Sequence, residues 1–307
     1  MIDFSSEVYC KVQPTEGCMN KTFYEVNELY ELAPKPKIAL RGFHCCSNFL
    51  RCFLFYGNKK SHRFFRVQLG ANVDHENHTL FCGNEMRVIE EWDYEKVLDS
   101  ITEDMCLSLV EKNGLDLQWI PNCKKSPKVC LAAITNHVGA LAHVPNERVS
   151  HELCLAAVTK NGMSIELIPN EKKSLEVCLA AVTNNGFALR FVEEDKKTHE
   201  VCFIAVLRNG WALKHVPKDR KTFEMCFVAV GGDAWALKWV PENMKTKDLC
   251  LAAVSNVGFA LHFVPELLKT HEVCLAAVKN DGWVLELIDE NKKKECFAAL
   301  ANNKRAV

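Results

Sequence analysis

Cys106, Cys130, Cys154, Cys178, Cys202, Cys226, Cys250 and Cys274 stand 24 residues apart, and Cys296 follows after 22. A fixed period of this length marks a chain made of stacked supersecondary units, none of which can bury its apolar face alone. The frame around each cysteine recurs as well, most clearly in THEVCFIAVLRNGWALKHVP over residues 198–217.

Each column of the frame has a physical reason. Four residues before the cysteine stands Thr or Ser (Thr102, Ser126, Ser150, Ser174, Thr198, Thr222, Thr246, Thr270). This is a helix N-cap, with an acid commonly two residues later to suit the helix dipole. Pro127 falls at the first helical position of its unit, where proline is tolerated. The helix runs through C-L-A-A-V and is expected to end at Asn-Gly or Asp-Gly (113–114, 161–162, 185–186, 209–210, 281–282), with glycine in a left-handed conformation. A shorter helix, x-A-L-x-x-V, follows, and proline closes it in most units (Pro145, Pro217, Pro265). The first helix is apolar almost all round, which predicts burial between layers.

The cysteines sit one per layer. Adjacent layers lie about 8–10 Å apart, whereas a disulfide needs Cα atoms within about 7 Å. A small buried hydrophobe is the expected role. In residues 230–235, VGGDAW, two glycines fall where the first helix should finish and Ala234 replaces the usual glycine, either as a frayed end or hinge or as sequence drift. The last unit, KKKECFAALANNKRAV, has no Thr or Ser cap and reads as a terminal capping helix.

The frame T-x-E-V-C-L-A-A-V-x-x-N-G-x-A-L-x-x-V-P-x-x-x-K resembles domain of unknown function 4116 over residues 100–300. That family is found mainly in large DNA viruses of amoebae and in intracellular bacteria. The resemblance implies origin and architecture and no reaction.

The first hundred residues lack the period. Strand-like runs at VYCKV (8–12), FFRVQL (64–69) and EMRVIE (85–90) alternate with turn-forming stretches such as APKPK and GNKK. A small α+β module over residues 1–98 is expected, followed over 99–307 by a mainly α solenoid of about eight repeats and a capping helix. FYEVNELYE, RGFHC, FFRVQLG and NEMRVIEEW resemble an uncharacterised phage and viral N-terminal module spanning residues 8–98.

Cys10, Cys18, His44, Cys45, Cys46, Cys52, His75, His78 and Cys82 offer ligand types for zinc, but no C-x-x-C or H-x₃-H pair occurs, so no metal and no cofactor are expected. An enzymatic reading, similar to ADP-ribosyl-transfer modules, would place Arg41 and His44 in a pocket with Glu85 or Glu90 as acid or base. The competing reading makes Gly42–Phe43–His44 a turn packed into the core. No phosphate-binding glycine loop, nucleophile elbow or H-E-x-x-H is present.

On the second helix the residue twelve after each cysteine should be the most exposed: Gln118, Ala142, Glu166, Arg190, Lys214, Lys238, His262 and Glu286. Arg190, Lys214 and Lys238 would make a basic patch. Beside them runs a column of large residues, Phe187/Phe191, Trp211/His215, Trp235/Trp239, Phe259/Phe263 and Trp283, suited either to packing between repeats or to partner contact. The candidate binding residues are therefore Arg190, Trp211, Lys214, Trp235, Lys238, Trp239 and His262. A Lys/Arg ladder before each cap is expected to be solvated and to face the acids at the helix starts.

Formal net charge is −1 over 307 residues, which disfavours nucleic acid as a partner. No apolar run reaches the roughly 18–20 residues of a membrane span, and MIDFSSEVYCKV does not read as a signal peptide. A non-enzymatic protein-interaction scaffold in a reducing, cytoplasmic setting is expected, in a host cell or virion if viral; the enzymatic N-terminal module is the alternative.

Overall fold

A computed structural model describes residues 9–13, 29–31, 43–46, 49–50, 62–70, 73–75, 80–83 and 85–304. Two compact units emerge, Met1–Arg148 and Val149–Val307.

The first unit begins with an antiparallel sheet of β1 (Tyr9–Gln13), β2 (Leu29–Glu31), β3 (Phe43–Cys46), β4 (Arg63–Leu69), β5 (Val73–His75), β6 (Leu80–Gly83) and β7 (Glu85–Trp92). Their spatial order is β2-β7-β4-β1-β3-β6-β5. The period-2 pattern of β4 explains its central place: Phe65, Val67 and Leu69 share one face and bury against Cys45, Met86 and Val88. On the other face Phe64 meets Tyr94, and Phe49 packs edge-on to Phe64 and against Trp92. Register shifts between Arg66 and Val67, a bulge that leaves Arg66 opposite Glu90 and Val67 opposite Val88. Arg63 grips Glu91 with two bonds of 2.8 Å. The expected runs 8–12, 64–69 and 85–90 thus correspond to β1, β4 and β7. Residues 33–37 (APKPK) and 57–60 (GNKK) lie outside the described residues.

The same unit continues with α1 (Tyr94–Ser100), capped by Asp93, and the first two repeats on α2 (Glu103–Lys112) and α3 (Pro127–Asn136). The second unit holds α4 (His151–Lys160), α5 (Leu175–Asn184), α6 (His199–Arg208), α7 (Phe223–Gly232), α8 (Lys247–Asn256), α9 (His271–Asn280) and α10 (Glu290–Lys304). The fold is a mainly α solenoid of 24-residue repeats with a small sheet at its N-terminal end.

One repeat illustrates all. Thr198 is extended and its hydroxyl accepts from Val201 N at 3.3 Å, which starts α6. Val201, Cys202, Ala205 and Val206 form its buried face. Asn209 is extended again (φ −155°), and its carboxamide accepts from Trp211 N at 3.0 Å. The second helix, Gly210–His215, is a 3₁₀ helix and not α, and a further 3₁₀ turn, Lys218–Arg220, follows Pro217. Pro217 closes one turn and its carbonyl accepts from Arg220 N to begin the next.

Two expectations are corrected. None of the Asn-Gly or Asp-Gly glycines has a positive φ, so no left-handed cap ends the helix. The extended Asn or Asp ends it, and at Gly162 and Gly186 the next layer lies too close for a side chain: a Cβ there would stand 2.3 Å from the carbonyl oxygen of Ala181 or Ala205. Next, the α helices are not enclosed all round. Leu207 is 60 % exposed, Phe223 48 % and Phe227 54 %, whereas burial is confined to the face of Val201, Cys202, Ala205 and Val206 and its counterpart in α7. Between the two readings of Gly231–Gly232, α7 favours sequence drift over a frayed end, since it runs its full ten residues through both glycines.

The Lys/Arg ladder is also different from the expected solvated row. Lys125, Lys173 and Lys197 are buried. Lys125, Lys173, Lys221 and Lys245 donate to the carbonyls of His143, Phe191, Trp239 and Phe263, each the last residue of the 3₁₀ helix in the same repeat. That carbonyl end is electronegative and short of donors, so an ammonium group satisfies both needs. Burial holds the Lys125, Lys173 and Lys221 ammonium pKa values below the usual lysine range. The preceding cation reaches back one layer: Arg220 Nη1 donates to Lys197 O at 2.6 Å and Glu194 O at 2.8 Å. The acids at the helix starts pair elsewhere, as in His151–Glu176 (3.0 Å) and Lys247–Glu272 (2.5 Å) between successive helices.

Candidate interaction surface

The 3₁₀ helices of the second unit carry the predicted site. Their Ala and Leu point inward, as with Ala212 and Leu213, both fully buried. An x-A-L-x-x-V segment with that pair inside leaves the residue after Leu outside, and Arg190, Lys214, Lys238 and His262 are all exposed. So are Glu166 and Glu286 at the same position in flanking repeats.

The aromatic column does both jobs that the sequence left open. Trp211 packs on Trp239 of the next repeat, with centroids 4.7 Å apart, and Trp235 packs on Phe263 at 5.9 Å. Both tryptophans still present over a third of their surface, 37 % and 38 %. Trp211 Nε1 donates to Asp233 of the next repeat, which also accepts from the Trp235 amide at 2.9 Å. Trp239 is half-buried. Trp283 is 77 % exposed.

The cations take no carboxylate. Arg190 lies over Phe191 (4.7 Å), and Lys238 over Trp239 (5.7 Å) and Phe263 (5.9 Å). Among the described residues, none of Arg190, Lys214 and Lys238 joins an ion pair. His215 lies within their field: burial first, then Lys214, Lys197 and Arg190, hold its pKa below the usual histidine value.

The cysteine column is chemically quiet. Cys106, Cys130, Cys154, Cys178, Cys202, Cys226, Cys250 and Cys274 are fully buried free thiols. Burial pushes Cys106, Cys202 and Cys250 up to about 11, so little thiolate forms at neutral pH. Cys202 Sγ donates to Lys197 O at 3.5 Å, a weak bond that explains cysteine over alanine at this point.

The enzymatic alternative gathers little. His44 lies in β3, paired with Cys82 of β6, so Phe43–His44 is strand and not turn. Arg41 lies outside the described residues, as do Cys18, Cys52 and His78. Glu90 is held below the usual carboxylate range, chiefly by its bond from Lys96, which is the reverse of what a general acid at neutral pH needs. Among the described residues no three His, Cys, Asp or Glu side chains could share a metal ion.

Sequence reasoning missed the asparagine that ties layers together. Asn136, Asn184 and Asn280 each end an α helix, accept from the amide of Gly114, Gly162 or Gly258 one layer back (2.8, 2.7 and 2.8 Å) and donate to a carbonyl of that earlier layer. Their recurrence six residues after Cys130, Cys178 and Cys274 was the available signal.

No helix among the described residues is long and apolar enough to cross a membrane. No curated protein and no solved structure matches this chain. Residues 7–100 match the family model of Domain of unknown function (DUF7666), and residues 151–195 and 246–291 match that of Domain of unknown function (DUF4116). The chain therefore carries tandem DUF4116 repeats after an N-terminal DUF7666 domain.

Proposed function

We propose that this protein is a non-enzymatic scaffold that holds a protein partner along the 3₁₀-helix ridge of residues 187–263. The observation that carries the reading is the contrast between neighbouring columns. Ala212 and Leu213 are buried and recur, buried again, at 188–189, 236–237 and 260–261, while the adjacent exposed position runs through Arg, Lys, Lys and His, with Glu166 and Glu286 in the flanking repeats. A position free of folding constraint, flanked by part-exposed tryptophans, is where a repeat protein can write specificity. The repeats of residues 99–307 carry this surface.

A reducing cytoplasmic setting goes with this reading, supported by free thiols that are buried one per layer. The likeness to DUF4116 supports a viral or intracellular-bacterial protein acting inside a host cell.

The test compares two surfaces. Bait protein is used to capture partners with wild type, with Trp211→Ala/Trp235→Ala, and with Phe223→Ala/Phe227→Ala on the α-helix face. The expected result is a stoichiometric partner lost from the tryptophan variant alone, with circular dichroism unchanged. Loss from the phenylalanine variant alone, or equal capture by all three, refutes the ridge.

A further inference from the structure

We infer that the ridge recognises an extended acidic peptide, with carboxylates about three residues apart, lying across Arg190, Lys214 and Lys238. This deepens the scaffold reading and rests on it.

The first argument is charge left over. Several lysines elsewhere in the array are committed: Lys173, Lys221 and Lys245 to backbone carbonyls, and Lys196, Lys247 and Lys269 to glutamates. Arg190, Lys214 and Lys238 touch aromatic rings at most, and no carboxylate among the described residues answers them. Asp233, the nearest acid of the aromatic column, is occupied by Trp211 Nε1 and the Trp235 amide.

The fold does not demand these cations. A cation in the last turn of a 3₁₀ helix suits its dipole, yet Gln118, Ala142, Glu166 and Glu286 hold the same position in other repeats. The three charges are therefore spare for binding, and Glu166 and Glu286 bound the cationic stretch on both sides.

The spacing selects the ligand. One cation per layer recurs at about 8–10 Å. A peptide in the polyproline II conformation advances about 3.1 Å per residue with three residues per turn, so every third side chain points the same way and meets the next layer. Carboxylates at that interval would each meet one cation, and the residues between would fall beside the exposed parts of Trp211 and Trp235. A nucleic acid fits less well. It carries a charge at every residue, which would meet the glutamates at both ends, and the tryptophans are already engaged with Trp239 and Phe263 rather than free for bases to stack on.

The experiment uses the full chain and four fluorescent probes: a peptide of about twelve residues with glutamate at every third position, the same peptide with glutamine there, the same peptide with lysine there, and an oligo-dT of equal length. Anisotropy should show saturable binding of the acidic peptide alone, weakening as salt rises from about 0.05 to about 0.5 M. Lys214→Glu/Lys238→Glu should weaken it roughly tenfold or more, and a peptide with lysine in place of the glutamates should bind that variant better than it binds wild type. The variant is expected to fold, since Glu166 and Glu286 occupy the same position. Equal binding of the acidic and glutamine peptides, tighter binding of oligo-dT, or no binding of the acidic peptide overturns the proposal. The scaffold reading is judged separately: a partner captured through Trp211 and Trp235 whose binding survives Lys214→Glu/Lys238→Glu would leave the scaffold standing and remove only the acidic ligand.

Discussion

Replacing Gly186 by alanine tests why the repeat needs glycine. An added Cβ would stand 2.3 Å from Ala205 O, 3.0 Å from Asn209 Cβ and 3.1 Å from Asn209 N, all on the next layer. A carbon and a carbonyl oxygen require more than 3 Å, so the layers must part by most of an ångström or Gly186 must shift against its own helix. Overpacking of this kind costs about 1–3 kcal/mol. Ala234 fills the same column naturally in one repeat, so misfolding is not expected. Gly282 supplies the control. It follows Asp281 in the same motif, yet nothing lies within 4 Å of its Cβ position, and its φ is not positive. Gly282→Ala should be neutral or slightly stabilising through lower unfolded-state entropy, by about 0.4–1 kcal/mol. Thermal melts followed by circular dichroism should show Gly186→Ala lowered by roughly 2–10 °C and Gly282→Ala unchanged or raised. Equal loss in both variants would mean that glycine is needed for its own backbone conformation, and the close-approach argument would fail.

Lys173→Met should cost about 1–3 kcal/mol in urea unfolding by orphaning the Phe191 carbonyl it now serves, whereas Lys214→Met, on the exposed column, should change stability by less than about 0.5 kcal/mol. Native protein at about pH 8 treated with a thiol reagent should label Cys123 quickly, because it is exposed, and Cys106, Cys202 and Cys250 only after unfolding; peptide mass mapping reads the order. His215 titrates below the usual histidine value in the folded chain, so the unfolded chain binds its proton first. The stability contributed by neutral His215 is present above about pH 6.5 and declines as pH falls through that value. His215→Gln should flatten that part of the melting-temperature profile. Lys214→Ala/Lys238→Ala should move the His215 NMR titration upward by removing a neighbouring cation. An unmoved titration would show that Lys214 is too screened to act on His215.

The Thr/Ser column was legible in full because an N-cap is a local device. Hydroxyl, amide and helix start lie within four residues, and all eight hydroxyls accept the expected bond. The exposed column from Gln118 to Glu286 was legible for a similar reason, since its neighbours Ala and Leu repeat while it varies. Other columns were misread because their partners sit in another part of the fold. Asn-Gly at 185–186 looks like a left-handed cap, and only the stacked layer shows that the glycine yields space to Ala205. Lys173 looks like surface charge, and only the folded repeat places the Phe191 carbonyl, 18 residues later, against its ammonium.

What the sequence determined by itself is the repeat, its period and the burial of its Cys, Ala and Leu columns, because a 24-residue recurrence leaves a stacked helical array as the way to hide the same apolar face eight times. The tertiary structure decided the helix types, the burial of the lysines and the division of the tryptophans between neighbour and solvent. The tryptophans depend on contacts between layers and the lysines on a carbonyl 18 residues along their own repeat, and contacts that far apart in sequence leave no local trace in the chain.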